Sequence, residues 1–320
     1  MKPGLPWFIG LGLLALSALP VRADIALAGV SEASGPGAPA GTSFKNGYLM
    51  AIDEVNAAGG ILGQKLVLTQ HDIDTKPDAA KEAMAKAVAA KPFAILGPIF
   101  SGITLATMPI TAGSGIPHFT GGEAASLTRK FHPTLMRSSL SQAGSAPRLA
   151  SFLSYGAEPR NLALITIDNE FGRDGKAALL GVIKRRNINV GFDRPVKPGQ
   201  TDFSKDIADL KASGADALLL YATENEAAGV LKEVRKQGFD KPVFADGLVA
   251  GQKVIDNAGG GTEGVLAHMI VSVDAPIAPL QAFTSRYTAR FGSRPDHNSV
   301  KGYFSVQVIK AGLELAGKVD

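Results

Sequence analysis

The residues with chemistry to offer sit just after short apolar runs. ILGPIFSG, at 95–102, ends in Ser101-Gly102. The run reads as a strand, the Gly-Pro pair as a tight turn, and Ser101-Gly102 as the start of a helix. The first N–H groups of such a helix and the serine hydroxyl point at one spot. That spot favours a carboxylate, because free N–H groups and the helix dipole are both positive there. Hydrogen bonds to a charged group contribute about 1.5–3 kcal/mol each. The plainer reading is that Ser101 caps its own helix. HFTGGEAASLT, at 118–128, repeats the design. Thr120 ends a strand, Gly121-Gly122 leaves the backbone open, and Glu123 follows, either as a ligand group or as a first-turn acid facing a helix dipole. Phe171, Thr223, Glu224 and Asp246 stand at comparable places further on. Phe171 also fits a core aromatic, and Asp246 a turn-forming residue.

Catalytic signals are poor. The chain has no G-x-S-x-G and no P-loop. GGGTEG at 259–264 fits G-x-G-x-x-G, but it follows a helix-like stretch and reads as a turn. The histidines at 71, 118, 132, 268 and 297 are isolated, without metal-ligand spacing. His118 lies beside the candidate crevice and reads as a packed or surface residue. With no cysteine, disulfides, thiolate zinc sites, thiol catalysis and an N-terminal lipidated cysteine are excluded. Neither metal nor cofactor is expected. The formal charge is +4, and Lys2 and Arg22 of the N-terminal segment account for two of those charges. The remainder is too small and too dispersed to indicate nucleic acid. Arg185-Arg186 reads as a solvated helix end.

The elements that must position these residues alternate. Strands are predicted at 25–30, 65–70, 93–97, 116–120, 162–167, 217–222, 242–245 and 265–271. Helices are predicted at 42–58, 77–90, 102–113, 145–156, 172–187, 203–213 and 225–237, with a further helix in FSVQVIKAGLELAG. The alternation means an α/β fold with parallel sheets covered by helices on both faces. One sheet of that many strands would be unusually wide for a single core, whereas two are ordinary. Every candidate residue then follows the C-terminal end of a strand, where open α/β sheets form their crevice.

Residues 1–23 read as a secretory signal. Lys2 is followed by the apolar run WFIGLGLLALSAL, and Val21-Arg22-Ala23 fits a cleavage site. The apolar run is shorter than the roughly 20 residues of a spanning helix.

SGPGAPAGTSFKNGYLMAIDEVNAAGGILG, at 34–63, resembles the start of the periplasmic solute-binding proteins of the branched-chain amino-acid type, which feed ABC importers. AILGPIFSGITLA at 94–106, GIPHFTGGEAASLT at 115–128, ALITIDNEFGRDG at 163–175 and the stretch 201–239 match in order, so the resemblance covers essentially all of 24–320. It implies two doubly wound parallel-sheet lobes joined by a hinge, with a ligand cleft between them. Lobe one is expected at 24–138 plus 274–320 and lobe two at 139–273. The family normally continues past Asp320, so lobe two is expected to lack an edge.

The resemblance also implies site roles. Ser101, with N–H groups at 101–102 and 121–123, takes the solute's carboxylate. Thr223 and Glu224 form a contact loop of lobe two. Asp246 pairs with an ammonium, and Phe171, where the family often has tyrosine, covers the ligand. Glu123-Ala124-Ala125 departs from the small hydroxyl or amide residues usual after the glycines, which removes a polar contact and adds a negative charge. The implied function is a monomeric periplasmic receptor, not an enzyme, that closes on a small carboxylate-bearing solute and delivers it to an inner-membrane ABC permease. A branched-chain or other apolar amino acid comes first, an aromatic or aliphatic acid second. A ligand-sensing module for a membrane receptor is the other role.

Overall fold

The computed structural model describes residues 23–129 and 132–319, so the expected leader lies, apart from Ala23, outside the described residues. Among the described residues, ten strands form two five-stranded sheets. In the first, β1 (Ile25–Ser31), β2 (Leu66–Asp72), β3 (Ala94–Leu96), β4 (His118–Thr120) and β5 (Leu135–Arg137) lie in the order β2-β1-β3-β4-β5. In the second, β6 (Asn161–Ile167), β7 (Asn189–Val196), β8 (Ala217–Tyr221), β9 (Val243–Asp246) and β10 (Leu266–His268) lie in the order β10-β9-β8-β6-β7. All the strand pairs of both sheets are parallel. A parallel sheet is covered on both faces, so its inner strands read as unbroken apolar runs. ALLLY of β8 is buried along its whole length. The chain passes from the first sheet to the second between Arg137 and Gln142, and has returned by Ala278.

The helices are α1 (Ala38–Ala57), α2 (Pro77–Ala89), α3 (Ser101–Thr111), α4 (Gln142–Phe152), α5 (Glu170–Ile183), α6 (Ser204–Ala212), α7 (Glu224–Lys236), α8 (Gln252–Ala258), α9 (Ala278–Phe291) and α10 (His297–Ala316). Apolar clusters line both faces of each sheet. Phe44, Ile52 and Val306 belong to one face of the first sheet; Ile73, Met84 and Ile103 belong to the other. Phe203, Val230 and Leu248 pack on one face of the second, and Leu149, Leu179 and Ile183 on the other.

The sequence prediction missed or misjudged four kinds of element. Strand β7 alternates exposed and half-buried residues at a sheet edge, so it lacks the apolar run that marks its neighbours. Strand β5 has three residues, too few for a periodic signal. The strand expected at 265–271 is only Leu266–His268. Helices α8 and α9 were not anticipated, and α10 begins at His297, one to two turns before the apolar stretch. Asp296 starts it: its side chain accepts from the Ser299 N–H at 2.9 Å, while Ser299 Oγ takes the Asp296 N–H at 2.9 Å.

Helix α10 meets α1 backbone to backbone. A Cβ on Gly47 would lie 1.9 Å from the Ser299 carbonyl oxygen, and one on Gly302 would lie 2.0 Å from that of Phe44. Glu54 of α1 then accepts from Arg286 Nε at 2.8 Å and from the Tyr303 hydroxyl at 2.6 Å. This contact fixes where α10 presents its first turns, beside the cleft.

Candidate functional site

On the first lobe the site begins at the turn between β3 and α3. Gly97 has φ 90°, and a Cβ there would lie 2.1 Å from the Val30 carbonyl oxygen, so only glycine fits. Glu32, just past β1, is fully buried, and its carboxylate accepts from the N–H groups of Ile99 and Phe100 at 3.2 Å each. Burial nevertheless pushes its carboxyl up to about 7. No side chain caps α3. Ser101 is the first residue of that helix rather than its cap; its hydroxyl accepts from the Ala124 N–H at 3.1 Å.

The loop after β4 is braced from behind. Thr120 Oγ1 donates to the Pro98 carbonyl at 2.8 Å and accepts from the Gly122 N–H at 3.0 Å. The Gly122 carbonyl accepts from Arg137 Nη1 at 2.6 Å and Ser139 Oγ at 2.9 Å, while Arg137 Nη2 reaches the Ala124 carbonyl at 2.9 Å. Thr120 and Gly122 therefore spend their polar groups on the loop itself. Glu123 is not a first-turn acid: only a 3₁₀ turn, Ala125–Thr128, follows it. Its carboxylate accepts from Lys301 Nζ of α10 at 2.5 Å, with both side chains buried. His118 is packed inside, its Nε2 at 2.8 Å from the Gly97 carbonyl.

On the second lobe Phe171 is buried in the first turn of α5 and stacks on Tyr221, ring centres 4.8 Å apart. Gln142 ties the pair together: its Nε2 donates to the Phe171 carbonyl at 2.8 Å and to the Tyr221 hydroxyl at 2.9 Å. Thr223 precedes α7 and donates to Glu226 at 2.5 Å. Glu226, rather than the half-buried Glu224, anchors that corner by accepting from the Gly199 N–H at 2.7 Å. Asp246 is buried at the end of β9, and its carboxylate accepts from the Leu248 N–H at 3.2 Å, making the turn. Burial, and next the Glu123 charge, raise its carboxyl above the usual carboxylate range.

Several cavities lie between the lobes, and two of them adjoin Ser101. A cleft of about 730 Å³ is lined by Pro36, Thr75, Phe100, Ser101 and Gly102 from the first lobe and by Asn169, Phe171, Arg173, Thr223 and Glu224 from the second. Deeper lies a cavity of about 30 Å³ lined by Ser101, Gly121, Glu123, Phe171, Thr223, Asn298 and Lys301, among others. The two share Phe100, Ser101, Phe171 and Thr223. Of the sequence-predicted residues, Ser101, Gly121, Glu123, Phe171 and Thr223 thus come together at the small cavity. Gly102 and Glu224 line the larger cleft. Thr120, Gly122 and Asp246 stand behind the walls. The lobes touch directly where the Ser126 N–H donates to Asp174 Oδ2 at 2.6 Å and Asn225 Nδ2 to the Pro36 carbonyl at 3.3 Å. Among the described residues no group of three or more His, Cys, Asp or Glu is placed to hold a metal, and no helix is long and apolar enough to cross a membrane.

Glu32, Gln142, Asn298 and Lys301 were not anticipated. For the last two the sequence did hold a signal. Asp296 and Ser299 form a helix start, and Asn298 and Lys301 at i, i+3 must then share one face. Glu32 and Gln142 carry no such mark, because their partners lie far away along the chain.

The family profile described as periplasmic binding protein matches residues 24–320. The leucine-specific-binding protein of Salmonella typhimurium is 28% identical over 261 residues, covering 81% of this chain and 71% of that protein. A solved structure of the branched-chain amino acid transporter substrate-binding protein LivJ of Streptococcus pneumoniae, in complex with isoleucine, superimposes with a TM-score of 0.83 at 22% identity, over 92% of this chain and 85% of that one. An ABC-transporter solute-binding protein of Rhodopseudomonas palustris, in complex with benzoate, gives a TM-score of 0.84 at 19% identity, over 92% of this chain and 81% of that one.

Proposed function

The chain belongs to the periplasmic binding protein family, and from that premise we propose that it captures a small carboxylate-bearing solute between its lobes for an inner-membrane ABC permease. It is a binding protein, not an enzyme. The observation that carries the proposal is the uncapped N-terminus of α3. Ser101 and Gly102, the first two residues of that helix, line a cleft shared by both lobes, where a helix N-terminus favours an anion. The solute enters the open cleft, its acid end meets α3, and Phe171 covers the rest. Contacts to both lobes exist only when the cleft is shut, so binding favours closure.

A branched-chain amino acid is the first candidate, in keeping with what the Salmonella and Streptococcus relatives are named for. An aromatic acid is the second, and one feature favours it: Phe100 and Phe171 both stand on the cleft wall, Phe171 backed by the Tyr221 ring. We read it as a monomer that works outside the inner membrane.

Leucine, 4-methylpentanoate and benzoate separate the candidates by thermal shift on the purified chain. A ligand at a hundred times its dissociation constant adds about 2.7 kcal/mol of stability. At least one of the three is expected to raise the melting temperature, and Ser101→Ala to weaken that ligand about tenfold. Unchanged affinity in Ser101→Ala would contradict the assignment of α3.

A further inference from the structure

Helix α10 carries unspent hydrogen-bond donors. Asn298 and Lys301 stand three residues apart on it, only 1% and 7% exposed. A lysine ammonium has three N–H donors. One reaches Glu123 Oε1 at 2.5 Å and a second Asn298 Oδ1 at 3.2 Å; the third has no partner among the described residues. Asn298 Nδ2 brings two more donors, and this buried atom has no hydrogen-bond partner among the described residues. Both residues line the 30 Å³ cavity, and so does Ser101. Buried donors in folded proteins nearly always find an acceptor. An acceptor with more than one lone pair therefore belongs in this space. The space holds a two-oxygen head group or a water or two, but not a whole amino acid.

We propose that Asn298 and Lys301, together with Ser101, form the seat of the solute's carboxylate, and that Glu123 is the counter-charge that holds Lys301 in position. This deepens the reading given above and rests on it. A carboxylate brought here takes N–H bonds from Asn298 Nδ2 and Lys301 Nζ and shares the ammonium with Glu123. Two acids about one lysine are tolerable because a second cation is at hand: the Arg137 guanidinium, at the end of β5, donates to the carbonyls on either side of Glu123. The remainder of the solute then extends past Phe100 and Phe171 into the larger cleft, whose walls those residues share with the cavity. The sites named on the β-strand ends alone leave α10 without a role; on this assignment it supplies the positive end of the site.

Asn298→Asp tests the assignment in the full chain. It is isosteric, keeps the acceptor that Lys301 uses, and replaces the two unspent donors by a negative oxygen. The probe is whichever of leucine, 4-methylpentanoate and benzoate binds the unaltered chain most tightly. Its dissociation constant is expected to rise at least tenfold, with melting still cooperative. The double variant Glu123→Gln/Lys301→Gln, which removes both charges together, is expected to weaken the same probe tenfold or more. A change within twofold in both would mean that the cavity holds a buried water only. Tighter binding by Asn298→Asp would mean that a ligand ammonium faces α10. Either result overturns the proposal. If Ser101→Ala weakens the probe while the α10 variants do not, this inference falls and the wider reading stands. If neither weakens it, or if none of the three probes binds the unaltered chain, both fall.

Discussion

The two lobes meet the cleft with different chemistry. The first presents charge held in a braced frame: Glu123 on Lys301, Glu32 on the turn before α3, and Arg137 lacing the loop at 122–124. The second presents a ring, Phe171 on Tyr221; two of its acids turn to their own lobe, Asp246 to Leu248 and Glu226 to Gly199, while Glu170, Arg173 and Glu224 line the larger cleft. Charged hydrogen bonds need exact placement, so they sit where α1, α10 and the sheet lock together. Apolar cover needs no such alignment, and Phe171 supplies it from the second lobe. On the proposed reading, one lobe holds the head group and the other covers it.

The sharpest way to break this asymmetry is Lys301→Met. It leaves Glu123 buried without a partner, which typically costs about 3–5 kcal/mol. Urea denaturation is expected to show that loss, and Lys301→Met/Glu123→Gln to recover most of it. If the single variant is as stable as the unaltered chain, the pair is not part of the frame.

Next in size is a pH effect. The Glu32 carboxyl titrates near 7 in the folded chain, and near 4.3 when unfolded. Between those values the folded chain holds the extra proton. Stability therefore falls as pH rises from about 4.3 to 7, and the full loss, at most about 4 kcal/mol, is present above 7. Comparing urea midpoints at pH 5 and pH 8, Glu32→Gln is expected to show a smaller drop than the unaltered chain. An equal drop would place the titration on other groups.

Gly302→Ala tests whether the α1–α10 contact positions the frame. The added methyl meets the Phe44 carbonyl 2.0 Å away, so the helices must part, at about 1–3 kcal/mol. Solute affinity is expected to fall with stability, because Asn298 and Lys301 ride on α10. Stability lost with affinity intact would separate the two.

The smallest effect belongs to the covering lobe. Phe171→Leu keeps the apolar volume but loses the ring stack, worth about 0.5–1.5 kcal/mol. It is expected to weaken an aromatic acid more than an aliphatic one, measured by calorimetric titration. Equal weakening of both would mean that the ring only fills space.

The architecture was legible because parallel strands and amphipathic helices write their burial into local periodicity. ALLLY of β8 and the 34–63 unit carry that pattern plainly. The candidate site was legible only at strand ends. Ser101, Gly121, Glu123, Phe171 and Thr223 obey that rule, and the structure gathers them. Lys301 does not obey it: it arrives from a helix 178 residues away from Glu123, by a contact that two glycines permit. The ion pair also explains why Glu123 was hard to read. Beside two glycines it looked like the start of a helix, and its partner could not be seen locally. Asp246 shows the converse, a strand-end acid that turns to its own backbone.

The most direct test of the account is calorimetric titration with a carboxylic acid and its amide, benzoate against benzamide and leucine against leucinamide. The head-group reading predicts that an acid binds and that its amide, with the same shape but without the charge, binds at least tenfold more weakly. An amide that binds as tightly as its acid would contradict it.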